Sequence, residues 1–224
     1  GVLARGTRSF VGGDPGQELR LLCNLTFATW WLCPRLDRLM NAHPWLKLDL
    51  QTATWGVEAI STSGAGAPNW DLEIRFARPQ DVSASAELLL EDSITPICAP
   101  DFADGAPDWR RDRLFDCAGT MSNWETWLDS QGLALPPEQV VHRASTYVIA
   151  LTAAVTGQGL ALAHGFMIEG LAKTCAVHQP WAHRMPLFEA YFLQPPPEHR
   201  QTPATRAFMA WIEDEVASAA PLTA

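Results

Sequence analysis

The stretch over residues 19–50, LRLLCNLTFATWWLCPRLDRLMNAHPWLKLDL, constrains this chain more than any other. Leu19, Leu21, Leu22, Cys23 and Leu25 form a short, nearly all-apolar run, the pattern of a strand covered on both faces. Leu32, Leu36, Leu39 and Met40 follow at helical spacing. Pro44 stops that helix, because proline disfavours the α conformation in the residue before it. Residues 45–50 then alternate apolar and polar. A strand, a crossover helix and a second strand of this length predict a right-handed βαβ unit with parallel strands. The chemistry of such a unit lies where the first strand ends. Thr26 falls there, and either Thr26 or Thr29 is placed to cap the helix. Free backbone N–H groups and the helix dipole at that point suit a carboxylate or phosphate. The plainer reading is that both threonines only cap the helix.

Composition narrows the class. At 224 residues the chain forms one large domain or two small ones, and 47% hydrophobic against 18% charged residues predicts a packed globule. A net charge of −9 argues against an unaided nucleic-acid binder. The tightest basic group, Arg110, Arg111 and Arg113, is interrupted by Asp112 and reads as a solvated loop. Cys23, Cys33, Cys98, Cys117 and Cys175 are odd in number and lack metal-ligand spacing, so they read as buried free thiols in a reducing compartment. No apolar run reaches the length of a membrane span. The chain opens on Gly1 rather than Met, without a signal peptide, which reads as a fragment or processed chain of the cytoplasm.

Taken in order, residues 1–18 read as a linker, 55–60 as a short helix and 61–69 as a Gly/Ser/Ala/Pro loop. Residues 71–76 alternate as a third strand with Arg75 near its carboxyl end; 87–91 and 94–99 read as two more strand segments. The pattern then restarts: strand 113–118, helix 123–131, strand 140–141, helix 146–156, strand 160–163, helix 166–171 and strand 187–193. A helix over 202–217 closes the chain. This predicts two similar α/β lobes, residues 19–90 and 91–193, crossed twice, with the closing segment 194–219 and its helix returning to the first. A ligand in such a fold sits between the lobes, at the carboxyl ends of parallel strands.

Several motifs are ordinary on inspection. Gly157-Gln158-Gly159 follows a helix and precedes a strand, the reverse of a dinucleotide loop, and reads as a helix C-cap. The six histidines have no ligand spacing, so neither a metal nor a cofactor is expected. Ser122 has no nucleophile-elbow context. The ten tryptophans serve packing, although Trp124 and Trp127 lie beside the polar loop 120–123, where an aromatic wall suits a ligand. Ser145-Thr146-Tyr147 opens the second lobe's main helix as Thr26–Thr29 opens the first's. Two such helix starts facing one cleft, with Arg75 as a cation and Tyr191 as a crossing-strand hydroxyl, make a binding site of residues that singly only cap or pack.

Thr26-Phe27-Ala28, Leu32 with Pro34-Arg35-Leu36, His43-Pro44-Trp45, residues 71–76, Pro96-Ile97-Cys98, Ala153-Ala154 with residues 157–162, and Phe208 with Trp211-Ile212 run in the order of a known family. On these the chain resembles the effector-binding domain of LysR-type transcriptional regulators, in the branch that regulates glycine cleavage and chromosomal β-lactamase. The resemblance implies an α/β fold of two Rossmann-like subdomains joined by two crossover strands, like a type II periplasmic binding protein. It implies effector contacts at Thr26, Thr146, Tyr147 and Tyr191; with the candidates read from the chain itself, the expected effector-binding set is Thr26, Phe27, Ala28, Thr29, Arg75, Phe76, Ser122, Trp124, Thr146, Tyr147 and Tyr191. It also implies an antiparallel homodimer through helices 28–42 and 146–156, with tetramers open to the full-length protein, and DNA contact only through a winged helix-turn-helix preceding Gly1. Tyr147 stands where relatives carry a smaller hydroxyl residue, so no relative's effector transfers. The function expected is a sensor of a small, anionic metabolite rather than an enzyme. A transporter's solute-binding protein is the alternative, and a small enzyme in the same cleft a third.

Overall fold

The computed structural model describes residues 15–53 and 70–218. The helix and loop expected over 55–69, and most of the linker expected over 1–18, lie outside them. The linker's last residues are structured: Pro15–Gln17 makes a 3-10 turn and Glu18 already begins a strand.

Eight strands form a single sheet in the order β2-β1-β3-β8-β4-β7-β5-β6. They are β1 (Glu18–Asn24), β2 (Lys47–Ala53), β3 (Leu72–Ala77), β4 (Glu87–Ile97), β5 (Leu114–Cys117), β6 (Val141–Ala144), β7 (Leu160–His164) and β8 (Met185–Gln194). β1 is parallel to β2 and β3, and β5 is parallel to β6 and β7. The two long strands β4 and β8 run antiparallel to each other and to the strands beside them, β7 and β3. They join the two parallel groups into two lobes.

The expected βαβ unit is present, with one difference inside its helix. α1 (Leu25–Phe27) continues through a π turn (Ala28–Leu32) and a 3-10 turn (Cys33–Arg35) into α2 (Leu36–Ala42). Pro34 explains the change of pitch: it has no N–H to donate and its ring excludes the carbonyl four residues back, that of Trp30. The helix ends at His43, in a non-helical conformation before Pro44. β4 corrects the expectation of two separate strands. It runs unbroken over eleven residues, bending through register shifts at Leu88/Leu90 and Glu91/Ser93. Asp92 interrupts the apolar pattern there yet is buried and hydrogen-bonded, so polarity did not mean a loop.

In the second lobe lie α3 (Trp124–Asp129), α4 (Tyr147–Val155) and α5 (Gly165–Ala172); α6 (Pro203–Ser218) packs on β1, β4 and the Pro15–Gln17 turn. α4 ends as expected. Gly157, at φ 77°, donates to the Ala154 carbonyl and Gln158 to that of Ala153, the paired bonds of a glycine C-cap.

Two cores result. One is confined to the second lobe around Trp109, Trp124, Trp127 and Leu128. The other starts in the first lobe at Leu19, Leu21 and Trp31 and continues across the junction to Leu151, Phe166 and Tyr191. α5 seals this junction by laying Gly170 on Trp30, where a Cβ would collide with the Trp30 carbonyl oxygen. Buried Arg35 ties the same corner, donating to the Trp31 carbonyl at 3.0 Å and to Glu169 at 2.7 Å, with its guanidinium over the Trp31 ring.

Candidate functional site

β1 delivers its last residue, Asn24, to the start of α1. Asn24 caps the helix, its Oδ1 accepting from the Phe27 N–H at 2.7 Å, so neither Thr26 nor Thr29 plays the expected capping role. An extended Asn reaches the third helical N–H directly, whereas the threonines already lie inside the helical run. Thr26 Oγ1 donates to Asn24 Oδ1 at 2.9 Å, and Thr29 Oγ1 donates to the Leu25 carbonyl at 2.7 Å. Asn24 Nδ2 donates to the Tyr191 hydroxyl oxygen at 3.1 Å. Burial holds the Tyr191 phenol well above its usual pKa, opposed in part by hydrogen bonding from Asn24 and Thr26.

The second lobe's helix start is built differently. Thr146 caps α4, accepting from the Ile149 N–H at 3.4 Å. Tyr147 follows with its ring against His164, centroids 4.7 Å apart, and its buried hydroxyl has no hydrogen-bond partner among the described residues. Burial, then the neighbouring Cys117, push the Tyr147 phenol far up; Thr120 stands close enough to temper this without closing a bond.

α1 and α4 do converge, as the two-helix-start argument requires. The space between them is filled. Phe27 stacks on Trp31 and lies 4.9 Å from the Tyr191 ring; Phe76 and Phe166 flank Tyr191 at 4.8 and 5.2 Å. Behind these rings sits a pair the sequence reading did not single out. His164 Nδ1 and Asp92 Oδ2 are 2.7 Å apart, and Asp92 Oδ1 accepts from the N–H groups of Ser93 and Gly165. The only sequence signal for it was polarity in the wrong place, an Asp between two apolar runs and a His closing a small-residue strand.

Open space lies to one side of this plug. A cleft of about 230 Å³ runs between the end of β3 with the turn after it (Arg75, Phe76, Arg78, Asp81) and the loop after β5 (Gly119 to Ser122), closed by Tyr147 and by Glu189 of β8. Of the predicted site residues, Arg75, Phe76, Ser122 and Tyr147 line it. Thr26, Phe27, Ala28, Thr29, Thr146 and Tyr191 belong to the capped and plugged junction beside it. Trp124 lies in the second-lobe core, fully buried, with Nε1 donating to the Phe115 carbonyl at 3.1 Å. Arg75 contributes to the wall, but strand alternation turns its side chain away from that of Phe76 and toward Glu73, whose Oε1 accepts from its Nε and Nη2 at 3.0 Å. Arg78 is likewise held by Asp81 at 2.7 Å.

Two lobes, a pair of crossing strands and a cleft at the strand ends specify a small-molecule receptor. The family described as the LysR substrate binding domain matches residues 12–217. The chain belongs to that family. Among LysR regulators, the chain is 27% identical to the HTH-type transcriptional activator AmpR of Rhodobacter capsulatus, over 92% of this chain and 70% of that protein. It is 24% identical to the glycine cleavage system transcriptional activator of Escherichia coli K12, over 94% of this chain and 68% of that one. The effector domain of AmpR from Pseudomonas aeruginosa superposes with a TM-score of 0.69 at 25% identity, covering 89% of this chain and 96% of that domain. The LysR effector-binding fold, two lobes of the type II periplasmic-binding-protein kind, is therefore the fold of this chain, and its role is ligand sensing in transcriptional regulation. These relatives are named as regulators, not as enzymes or transport proteins.

Proposed function

We propose that this chain senses a small metabolite in the cleft between β3 and the loop after β5, and that the bound lobe arrangement is relayed to a DNA-binding domain in the full-length protein. The observation that carries the reading is the cleft itself: it is walled by both lobes and by the crossing strand β8. A ligand there touches both lobes at once and so binds one lobe angle better than another, which is the condition for shifting the equilibrium. We infer lobes of residues 19–90 with 194–219 and of 91–193, a homodimer as the assembly that transmits the change, and the cytoplasm as its place of action. Among the described residues no helix is long and apolar enough to cross a membrane.

A metabolite library screened by thermal shift tests the proposal, since a ligand bound to the native state alone raises the melting temperature. Met121 is mostly exposed at the cleft wall, so Met121→Trp fills the cleft without disturbing either core. Compounds that stabilise the wild type and lose their effect in Met121→Trp support the reading. Compounds equally effective on both, or a library with none that act, overturn it.

A further inference from the structure

At the junction of the lobes the chain bends in two places, and a single carboxylate holds both bends. β4 shifts register between Glu91 and Ser93, so Asp92 sits at the bend of this crossing strand. Beside it, β7 ends at His164 and the chain enters α5 at Gly165. Asp92 Oδ1 accepts from the Ser93 N–H at 2.8 Å and from the Gly165 N–H at 3.0 Å, while Oδ2 lies 2.7 Å from His164 Nδ1. Asp92 and His164 are both buried. Taking such groups out of water is costly, and apolar residues of similar volume would fill a core at least as well. The pair therefore points to control of geometry rather than to stability.

Two bodies meet at this joint. α5 follows the second lobe's β7 in sequence but is seated on the first lobe. Gly170 lies against the Trp30 backbone with no room for a Cβ, and Glu169 accepts from buried Arg35 at 2.7 Å. Contacts this close do not deform gradually, so α5 turns with the first lobe while β7 turns with the second. A change of angle is then taken up at Asp92 and at the step from His164 to Gly165. Ser93 Oγ and His164 Nε2 are buried at the same joint without partners among the described residues, and a second arrangement of the joint can engage them. On its other side the His164 ring meets Tyr147 and Phe76 edge-on, centroids 4.7 and 5.4 Å away, and both of those residues line the cleft.

We propose that Asp92 and His164 form the pin that sets the angle between the lobes. Resting on the cleft reading above, Tyr147 and Phe76 pass occupancy of the cleft to that pin through the His164 ring. Asp92 and His164 are positioning residues, acting on the lobe angle from behind the cleft wall.

The test measures the inter-lobe distance by pulsed dipolar spectroscopy. Spin labels are carried on non-natural residues at exposed Asn41 of α2 and Glu125 of α3, in labelled protein diluted with unlabelled chain. Without ligand, Asp92→Ala broadens the distance distribution about twofold and His164→Leu broadens it by a smaller factor. His164→Asn, whose side-chain amide can stand in for Nδ1, restores the wild-type width. Leu128→Ala, in the core confined to the second lobe, lowers the melting temperature and leaves the width unchanged. Should Asp92→Ala fail to fold, the two His164 variants decide. Wild-type widths in Asp92→Ala and His164→Leu overturn the pin, as does equal broadening by Leu128→Ala or by His164→Asn. The relay is tested with compounds from the thermal-shift library. One that shifts the wild-type distance, and binds His164→Leu by calorimetry without shifting it, supports the relay; equal shifts in both overturn it. A library with no ligand removes the cleft reading and the relay together, and the pin is still judged on the unliganded distances.

Discussion

The starts of α1 and α4 look alike in sequence, each a hydroxyl-rich turn after a strand, yet one is chemically closed and the other is not. At the first, Asn24 answers the Phe27 N–H, Thr26 answers Asn24, and Asn24 answers Tyr191. At the second, the cap bond is long at 3.4 Å, the Tyr147 hydroxyl has no partner among the described residues, and Cys117 and Asp116 nearby are both pushed toward their neutral forms by burial. Polar groups that are fully satisfied hold a structure together; a buried group left without a partner is the exception that calls for an explanation. The pseudo-symmetric argument from sequence thus survives in geometry but not in chemistry. The start of α1 is a brace, whereas the start of α4 stands at the cleft that the end of β3, the loop after β5 and β8 enclose.

The largest effect that tests this contrast is expected at the brace. Phe27 is fully buried between Trp31, Phe166 and Tyr191, so Phe27→Ala should destabilise the domain by about 3–5 kcal/mol, measured by urea unfolding. A loss below about 1 kcal/mol would show that the plug is loosely held and that ligand can enter the junction itself. Next in size is a difference of sign between two tyrosines. Tyr191→Phe leaves Asn24 Nδ2 without its acceptor and should cost about 1–2 kcal/mol. Tyr147→Phe removes a buried hydroxyl that has no partner among the described residues, and should be neutral or stabilising by up to about 1 kcal/mol. Equal losses at the two positions would erase the distinction between brace and receptor.

How much of this was legible beforehand divides along the same line. Period and punctuation are local, and they carried the βαβ unit, the third strand, the cap at Thr146 and the glycine C-cap at Gly157. What failed to show was pairing across the fold. Asp92 looked like a break between two strands because its partner, His164, lies 72 residues on. Arg75 looked like a free cation because nothing in an alternating strand says that Glu73, two residues back on the same face, will take it. Trp124 looked like a pocket wall because it adjoins a polar loop, while its indole N–H was destined for the Phe115 carbonyl inside a core. Glu189 drew no notice in a strand of mixed character; only the fold reveals that it lines a cleft.

The smallest effect concerns pH and belongs to the receptor side. Burial raises the Asp116 carboxyl from 3.8 to about 6, against the Trp124 N–H and Arg143, which favour its ionised form. The folded chain therefore binds this proton more tightly than the unfolded chain does. Below about pH 4 both states are protonated and the group is neutral to stability; from about 4 to 6 the unfolded state ionises first, so stability falls as pH rises; above about 6 the full penalty stands. A rise from 3.8 to about 6 corresponds to about 3 kcal/mol at most, and partial exposure reduces it to about 1–2 kcal/mol. Asp116→Asn keeps an acceptor for the Trp124 N–H and removes the charge. Its stability relative to wild type should thus climb between pH 4 and 6.5 and level off beyond, as read from paired thermal melts. A flat difference would mean that the carboxylate is comfortable where it lies, and that the second lobe's helix start is less strained for charge than its neighbour Tyr147 implies.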